Sequence, residues 1–144
     1  KNFVASSGSG VYADLNKVNG IVTEFLIDTG GTITLVSTKV WDIVKESCTL
    51  KLKPYHAKLQ TASGEAIDIK GKVSVNLEIC GLQIIADVVV ANVDLDAILG
   101  LDLMKAHDCK IDVTNTSLSI KGKSCKLNDV AKMGCYSVSG FGEN

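Results

Sequence analysis

Arginine is absent from this sequence of 144 residues, because all fifteen of its basic residues are lysines. Bidentate clamps on phosphate or carboxylate groups need a guanidinium, so the chain cannot supply one. The formal net charge of -1 at pH 7 gives no electrostatic reason to expect nucleic-acid binding. No stretch approaches about eighteen consecutive apolar residues, so we expect no membrane-spanning segment.

Paired cysteine spacing is also missing. The five cysteines are odd in number, and no two of them are separated by only two residues. We therefore expect reduced thiols in a cytosolic protein and no disulfide framework. A zinc site that combines Cys109 with His107 or Cys125 is the alternative, but no paired-ligand spacing supports it. The five cysteines are Cys48, Cys80, Cys109, Cys125 and Cys135.

Length and composition favour one globular domain. A chain of 144 residues can bury a modest hydrophobic core but is short for two domains. Hydrophobic residues make up 46% and charged residues 22% of the chain, which is ordinary for a soluble protein. The sequence contains no internal repeat and no low-complexity tract.

Most of the chain follows the period-two pattern of β-strands. The dipeptide Asn19-Gly20 is the strongest short hairpin signal, and it predicts a turn between strands at residues 11–15 and 21–27. A second hairpin is predicted around Asn115-Thr116. Between these two hairpins, alternating apolar residues predict a half-buried strand at residues 73–79.

Cys80-Gly81 is predicted to turn the chain into a more buried strand at residues 82–90, which is rich in Ile and Val. Helices are expected to be few and short. Ser37 is a good N-cap for a helix over residues 38–44, and residues 101–107 are predicted to form the second helix. The sequence therefore predicts an all-β protein built on a small closed or nearly closed sheet.

The two ends of the chain have a looser composition. Residues 1–10 include the run ASSGSG, which is typical of a flexible segment, and residues 137–142 are similar. Flexible ends favour a domain carried within a larger polyprotein. We expect residues 123–144 to be a C-terminal extension of unassigned role, in which residues 123–127 could add a strand.

The tripeptide Asp28-Thr29-Gly30 follows the apolar run 25–27 and occurs only once. A carboxylate placed directly after a buried strand and before a glycine turn is held in a controlled environment, where an acid or base can be tuned for chemistry. One aspartate cannot perform the two-carboxylate activation of water that Asp-Thr-Gly suggests, so the single copy raises the question of a second one in a partner subunit. A plain turn is the alternative role for Asp28.

Three segments occur in a meaningful order. Residues 25–32 have the sequence FLIDTGGT, residues 59–67 have LQTASGEAI, and residues 97–104 have AILGLDLM. Together they resemble the retropepsins, the single-lobe aspartic proteases of retroviruses and LTR retrotransposons, over residues 11–122. The continuation at residues 105–112 is more similar to retrotransposon proteases, and it also resembles the retropepsin-like domain of the DNA-damage-inducible ubiquitin-shuttle proteins.

The resemblance implies a closed acid-protease barrel with one or two short helices, a single lobe per subunit, and a homodimer in which each subunit donates one Asp-Thr-Gly. Asp28 is then the catalytic residue, Thr29 hydrogen-bonds near the two-fold axis, and Gly30 permits the tight turn. Two neighbouring carboxylates share one proton and activate a water. No metal or cofactor is implied.

The resemblance also assigns two supporting elements. The flap, the mobile hairpin that closes over the substrate, would contribute Thr61, Ala62, Ser63, Gly64 and Glu65 to substrate binding, with Ala62, Ser63 and Gly64 at its tip. Residues 28–32, which we call the active loop, contain Asp28 and its supporting residues Thr29, Gly30, Gly31 and Thr32. The segment Ile98, Leu99 and Gly100 would pack beneath this loop, with the following helix behind it. A plain strand-to-helix junction is the alternative role for Gly100.

Two features depart from the family pattern. The residue after Asp-Thr-Gly is commonly alanine, whereas this chain has Gly31. Retroviral members often form an ion pair between an aspartate and an arginine at the places that hold Thr32 and Leu101 here. Both charged residues of this ion pair are missing together. Their joint absence is physically reasonable, because either charge alone would be buried without a partner.

By resemblance, the activity is that of an aspartic endopeptidase that cleaves a Gag-Pol type polyprotein between hydrophobic residues, including its own junctions, in the cytoplasm or within virus-like particles. No nucleic-acid or membrane partner is expected. The alternative is a catalytically inactive retropepsin-fold module used for dimerisation or substrate binding. Asp94 and Asp96 lack the spacing of a calcium loop and are expected to be exposed.

Overall fold

The structure is a computed structural model that describes residues 9–61, 63–131 and 138–141. Its strands are β1 (Ser9–Val18), β2 (Ile21–Ile27), β3 (Leu35–Ser37), β4 (Lys58–Thr61), β5 (Ile69–Ile79), β6 (Leu82–Ala91), β7 (Ala97–Leu99), β8 (Cys109–Asp112), β9 (Ser117–Ile120), β10 (Lys123–Ala131) and β11 (Val138–Phe141). Its helices are α1 (Thr38–Val44), continued by a 3₁₀ turn at Lys45–Ser47, and α2 (Leu101–Ala106). Neither helix is long and apolar enough to cross a membrane, and the described ranges contain no other candidate.

Nine strands form one sheet in the order β2-β7-β3-β6-β5-β1-β10-β9-β8, and β1 also pairs with β2. This additional pairing closes β1, β2, β7, β3, β6 and β5 into a six-stranded barrel. Strands β10, β9 and β8 extend the sheet outward from β1, and β4 and β11 form a separate two-stranded sheet. The predicted all-β fold with a closed sheet and two short helices is therefore confirmed.

Strand β1 is longer than the sequence predicts. It begins at Ser9, inside the segment expected to be flexible, and continues to Val18. Its first half pairs with β10, and its last two residues pair with β5. A shift in the register with β2 between Ala13 and Asn16 bends the strand, as a β-bulge does, so that one strand serves both neighbours. The predicted flexibility of residues 1–8 lies outside the described residues.

Two-residue turns join three pairs of consecutive strands. Asn19 (φ 46°) and Gly20 (φ 83°) both adopt positive φ, as the primed hairpin turns require, which confirms the predicted hairpin. The same backbone geometry occurs at the pairs Cys80-Gly81 and Lys121-Gly122. The hairpin around Asn115-Thr116 is also confirmed, because β8 and β9 pair on either side of it.

The strands alternate between core and surface largely as predicted. In β5, Val73, Val75, Leu77 and Ile79 are all buried, and alternate residues are more exposed. The predicted greater burial of β6 does not hold in its first half, where Ile85 is 73% exposed. This half of β6 pairs with β5 in a hairpin that has one face to solvent, whereas residues 88–91 are buried.

Helix α1 has the predicted bounds and the predicted cap. The backbone N–H of Val40 donates to Ser37 Oγ at 3.2 Å, which satisfies one of the free donors of the first turn. Trp41 is buried in the core. Helix α2 begins directly after Gly100 and ends at Ala106, one residue before the predicted end.

The expectation of reduced thiols is wrong for two cysteines. Cys80 and Cys125 form a disulfide with a Cα–Cα distance of 5.1 Å, although they lie 45 positions apart. The bond joins the β5–β6 turn to β10, so Cys125 is not free to bind zinc. The sequence could not show this pairing because only the sheet brings the two positions together. Cys48 and Cys109 are free, and Cys135 lies outside the described residues.

Candidate active site

Asp28 lies where β2 leaves the barrel beside a parallel neighbour. Strand β2 pairs with β7 in the register Leu26 opposite Ile98 and Ile27 opposite Leu99. The carboxyl ends of both strands therefore meet at one edge of the sheet. The backbone N–H of Asp28 donates to Leu99 O at 3.0 Å, which extends the pairing by one residue and fixes where the aspartate begins its loop.

The loop after Asp28 is held by short-range hydrogen bonds. The N–H of Gly30 donates to Asp28 Oδ1 at 3.1 Å, and the N–H of Gly31 donates to Asp28 O at 3.1 Å. Asp28 is completely buried within the single chain, whereas the adjacent Thr29 is exposed. The loop thus directs its carboxylate inward and presents the threonine at the surface.

Gly100 lies directly against the active loop. A Cβ atom at this position would lie 2.6 Å from both the backbone C and the backbone O of Ile33, closer than real Cβ atoms approach. Its φ of -99° is available to any residue, so the close approach of two backbones is what requires glycine here. Ile98 and Leu99 are buried beside it, under the loop.

A polar link between the loop and α2 was not predicted from the sequence. Thr34 Oγ1 donates to Asp102 Oδ1 at 2.7 Å, and the Thr34 N–H donates to Asp102 Oδ2 at 3.2 Å. The N–H of Gly100 in turn donates to Thr34 Oγ1 at 3.0 Å. The signal in the sequence was Asp102, two residues after Gly100 in the segment 97–104.

The two places where retroviral members carry an ion pair are filled differently. Thr32 is exposed at the loop surface. Leu101 is half-buried, and its backbone N–H donates to Gly31 O at 2.8 Å. A main-chain hydrogen bond together with the Thr34–Asp102 link therefore connects the loop to α2 without an ion pair.

The expected flap is a hairpin whose turn is organised by Thr61. The N–H of Thr61 donates to Glu65 O at 2.9 Å, and its carbonyl accepts from the Gly64 N–H at 2.9 Å. Its hydroxyl lies 3.0 Å from Ser63 Oγ. Ser63, Gly64 and Glu65 are exposed at the tip, and Ala62 lies outside the described residues.

The arm of this hairpin packs onto the strands that carry the active loop. Leu59 is only 2% exposed and belongs to the same buried apolar cluster as Leu26 of β2 and Ile98 of β7. The full cluster consists of Leu26, Leu35, Leu59, Val89, Ala91, Val93 and Ile98. The hairpin and the active loop are therefore neighbours in the fold, as their order in the sequence suggested.

A groove of about 400 Å³ opens beside Thr29. Its lining residues are Thr29, Leu101, Met104, Lys105, Asp108, Cys109 and Ile111. Burial, with a further contribution from the negative charge of Asp108, raises the pKa of the Cys109 thiol to about 11. The groove therefore holds a neutral thiol among apolar side chains, next to the exposed threonine of the loop.

The acidic residues between β6 and β7 have structural contacts. Asp94 is exposed, as expected. Asp96 is half-buried, since Oδ2 accepts from the Glu24 N–H at 3.2 Å and Oδ1 pairs with Lys39 Nζ at 3.0 Å. In the ranges that the structure describes, no three His, Cys, Asp or Glu residues come together in a way that could hold a metal ion.

Solved structures that share this fold include two retroviral protease-like domains. The retroviral protease-like domain of Ddi1 from Leishmania major superposes with a TM-score of 0.68 at 16% identity, covering 83% of this chain and 94% of that one. The EIAV protease, complexed with the inhibitor HBY-793, gives a TM-score of 0.53 at 16% identity, covering 78% of this chain and 92% of that one. Similarity at this level of identity is evidence for the fold alone.

The family evidence comes from the sequence itself. Residues 16–106 match the family described as "gag-polyprotein putative aspartyl protease". The match includes Asp28-Thr29-Gly30 and the segment through Gly100, and it spans more than half of the chain. With its retropepsin-like barrel, the chain belongs to the gag-polyprotein aspartyl protease family.

Proposed function

We propose that the protein is an aspartic endopeptidase whose catalytic pair consists of Asp28 from two copies of the chain. The observation that carries this proposal is the buried Asp28, whose backbone N–H donates to Leu99 O and whose carboxylate accepts from the Gly30 N–H, within the segment that matches the family. A carboxylate held in this way, beside an exposed threonine at the surface, is suited to pair with its symmetry mate.

The need for two copies follows from the single Asp-Thr-Gly in the chain. A two-fold axis near Thr29 brings two such loops together without further sequence. The groove beside Thr29 offers partly buried apolar side chains, including Leu101 and Ile111, against which a second copy could pack. We therefore propose a homodimer with its axis at the active loop.

In the dimer, two carboxylates a few ångströms apart cannot both ionise at low cost, so they share one proton. The ionised Asp28 takes a proton from the bridging water as that water attacks the peptide carbonyl carbon. The protonated Asp28 donates to the carbonyl oxygen, where negative charge develops. Because one proton must be retained by the pair, we expect the highest activity under mildly acidic conditions.

The substrate is proposed to be a polypeptide with hydrophobic residues on both sides of the scissile bond. Leu59 of the flap hairpin shares a buried apolar cluster with Leu26 and Ile98, which lie on the strands that lead to the active loop. Partly buried Ile33 and Ile67 pack against this cluster. Such surroundings favour apolar side chains in the subsites. Together with the family match, this supports cleavage of a Gag-Pol type polyprotein, including its own junctions. We propose that this cleavage takes place in the cytoplasm or in virus-like particles.

Peptide-library cleavage followed by mass spectrometry between about pH 4 and 7 tests the proposal. Asp28→Asn should lower the cleavage rate by about 100-fold or more, because it removes the general acid and base. Asp94→Asn, at an exposed acid in a loop, is the matched control and should retain the parent rate. Equal rates for the parent and Asp28→Asn would rule out the proposed chemistry.

Mixing experiments test whether the catalytic pair spans two subunits. Excess Asp28→Asn chain should lower the activity of a fixed amount of parent chain, because mixed dimers carry only one ionisable Asp28. The control is a mixture of the same amount of parent chain with excess Asp94→Asn chain. Comparing the two mixtures at equal protein concentration separates the effect of mixed dimers from an effect of total protein concentration. No loss of activity on mixing would mean that the two carboxylates are not shared between chains.

A further inference from the structure

One edge of strand β4 is paired with the returning arm of the flap hairpin, residues 65–67. Thr61 N–H donates to Glu65 O at 2.9 Å, and Leu59 O accepts from the Ile67 N–H at 3.0 Å. Gln60 and Ala66 lie opposite each other between these two hydrogen bonds. The returning arm of the hairpin therefore occupies this edge of β4.

The other edge of β4 is occupied by β11. The two strands are antiparallel, with Val138 opposite Thr61 and Phe141 opposite Lys58. Every residue of β4 thus has a partner in β11. Within residues 9–61, 63–131 and 138–141, both edges of β4 are filled, so an extended peptide could add to β4 only by displacing one of them.

The direction of the main-chain groups shows which pairs are bonded. Successive residues of a strand direct their N–H and C=O groups to opposite edges. Because Leu59 and Thr61 bond to the returning arm, the groups of Gln60 are directed towards β11, where Ser139 lies opposite. Ser139–Gln60 is therefore a hydrogen-bonded pair, whereas Val138–Thr61 is a non-bonded pair.

The hairpin arm is packed against the strands that lead to the active loop. Leu59 is packed in the cluster with Leu26 and Ile98, under the hairpin arm. Asp28 is completely buried, although a catalytic carboxylate must contact both water and the scissile peptide. Some rearrangement around the loop must therefore precede substrate binding, and on the hairpin the edge of β4 that pairs with β11 must be vacated before another strand can add there.

We propose that the β11 edge of β4 is the site where the substrate main chain binds as an added strand, and that Val138–Phe141 occupies this site until substrate displaces it. The inference rests on the proposed function, because it assigns a regulatory occupant to the same site. Strand addition uses main-chain hydrogen bonds, which any extended peptide can supply. The segment has the sequence VSGF and carries no charge, so it resembles the uncharged substrates expected for apolar subsites.

Competition by a tethered segment has a defined kinetic consequence. The segment is always present at a high effective concentration, so it lowers the fraction of chains that can accept substrate. Once substrate has displaced it, the chemical step proceeds as it would without the segment. The occupant therefore raises KM and leaves kcat unchanged.

Two proline variants of the full chain form a matched pair. Ser139→Pro removes an N–H that bonds to Gln60, whereas Val138→Pro removes an N–H that is directed away from β4. Loss of one main-chain hydrogen bond should open the β4–β11 pair about fivefold more often. We expect about fivefold faster amide hydrogen exchange at Gln60 and about fivefold lower KM in Ser139→Pro, with kcat unchanged. Val138→Pro should match the parent chain in both measurements.

Hydrogen exchange separates this inference from the proposed function, because it needs no activity. If the Gln60 amide of the parent chain exchanged as fast as the exposed amide of Ser63, β11 would not occupy the edge and the inference would be overturned. Equal KM values for the parent and Ser139→Pro would also overturn it. Protection of Gln60 that is lost only in Ser139→Pro would support the occupied edge even if no variant cleaved a peptide, and only the proposed protease activity would then fail.

Discussion

Thr34 and Asp102, which lie 68 positions apart, are joined by two hydrogen bonds. The hydroxyl of Thr34 donates to Asp102 Oδ1 at 2.7 Å, and its backbone N–H donates to Oδ2 at 3.2 Å. Because the same hydroxyl accepts from the Gly100 N–H, one buried side chain connects the active loop, the glycine behind it and α2. Thr34 is thus a positioning residue for the loop that carries Asp28.

Thr34→Val should weaken this connection while keeping the shape of the side chain. Valine has no hydroxyl, so the buried N–H of Gly100 loses its partner, which costs about 1–3 kcal/mol of folding stability. We expect kcat to fall more than KM rises, because the loop is displaced while the binding surface remains. Denaturant unfolding and steady-state kinetics measure the two effects.

Thr34→Ser is the matched control for this prediction. Serine keeps the hydroxyl and therefore both hydrogen bonds, and it loses only a methyl group that is worth about 1 kcal/mol when buried. It should retain most of the parent kcat. If Thr34→Val and Thr34→Ser had the same kcat, the hydroxyl would have no positioning role.

Gly100→Ala should disturb the loop by a steric route. The added Cβ would lie 2.6 Å from the backbone of Ile33, which must then move away. Overpacking of this kind commonly costs about 1–3 kcal/mol. We expect lower stability and lower peptide cleavage. The chemical shifts should change for the Asp28 amide, which donates to Leu99 O, and for the Leu101 amide, which donates to Gly31 O.

Removal of the Ile33 side chain distinguishes a backbone clash from a side-chain clash. The atoms nearest to the added Cβ are the C, O and N of Ile33, so Ile33→Ala cannot make room for it. The double variant Ile33→Ala/Gly100→Ala should therefore be no more stable than Gly100→Ala. Recovery of stability in the double variant would contradict the geometry.

The local signals in the sequence predicted the elements well. Asn19-Gly20 specified its turn because only a primed turn suits that dipeptide, and Ser37 specified the start of α1 because its hydroxyl caps the first turn. The motif order also placed Asp28 beside Leu99 and Gly100, since β2 and β7 are parallel neighbours. These inferences depended on a few adjacent residues or on a resemblance over the whole domain.

The contacts that were not predicted from the sequence join positions far apart in the chain. The Thr34–Asp102 link, the Cys80–Cys125 disulfide and the pairing of β11 with β4 all depend on how the sheet closes. A single sequence carries no record of such closeness, because threonine, cysteine and short strands have many possible partners. The exposure of Ile85 was not predicted for a different reason. A dense apolar composition does not show which face of a strand is exposed to solvent.

The Cys80–Cys125 disulfide should contribute measurably to stability. It closes a loop of 45 positions, and constraining the unfolded chain to that extent is worth about 2–4 kcal/mol. The variant Cys80→Ala/Cys125→Ala should therefore unfold at lower denaturant concentration than the oxidised parent chain. Chemical denaturation of both proteins, with and without a thiol reductant, measures the difference.

Cys48→Ala is the control for this experiment. Cys48 is a free, half-buried cysteine, so its variant should still lose stability on addition of reductant. The double variant should show no response to reductant. A parent chain whose stability is the same with and without reductant would show that the disulfide does not form in solution.

The raised pKa of Cys109 predicts slow alkylation near neutral pH. A pKa of about 11, against the usual 9.0, results from burial and, to a lesser extent, from the charge of Asp108. At pH 8 the reactive thiolate is therefore about 100-fold scarcer than in the unfolded chain. Iodoacetamide labelling followed by mass spectrometry should show slow labelling of Cys109, with a rate that rises up to about pH 11. Asp108→Asn should accelerate labelling modestly, because burial remains.

The same thiol reports on the proposed dimer, because Cys109 lines the groove beside Thr29. If a second copy packs there, it covers the thiol and withdraws it further from reagent and water. The labelling rate should then fall as protein concentration rises, whereas Cys48, outside this groove, should be labelled at a constant rate. Concentration-independent labelling of Cys109 in a sample shown by sedimentation to dimerise would place the interface on another surface, and the pairing of two Asp28 residues across this groove would have to be abandoned.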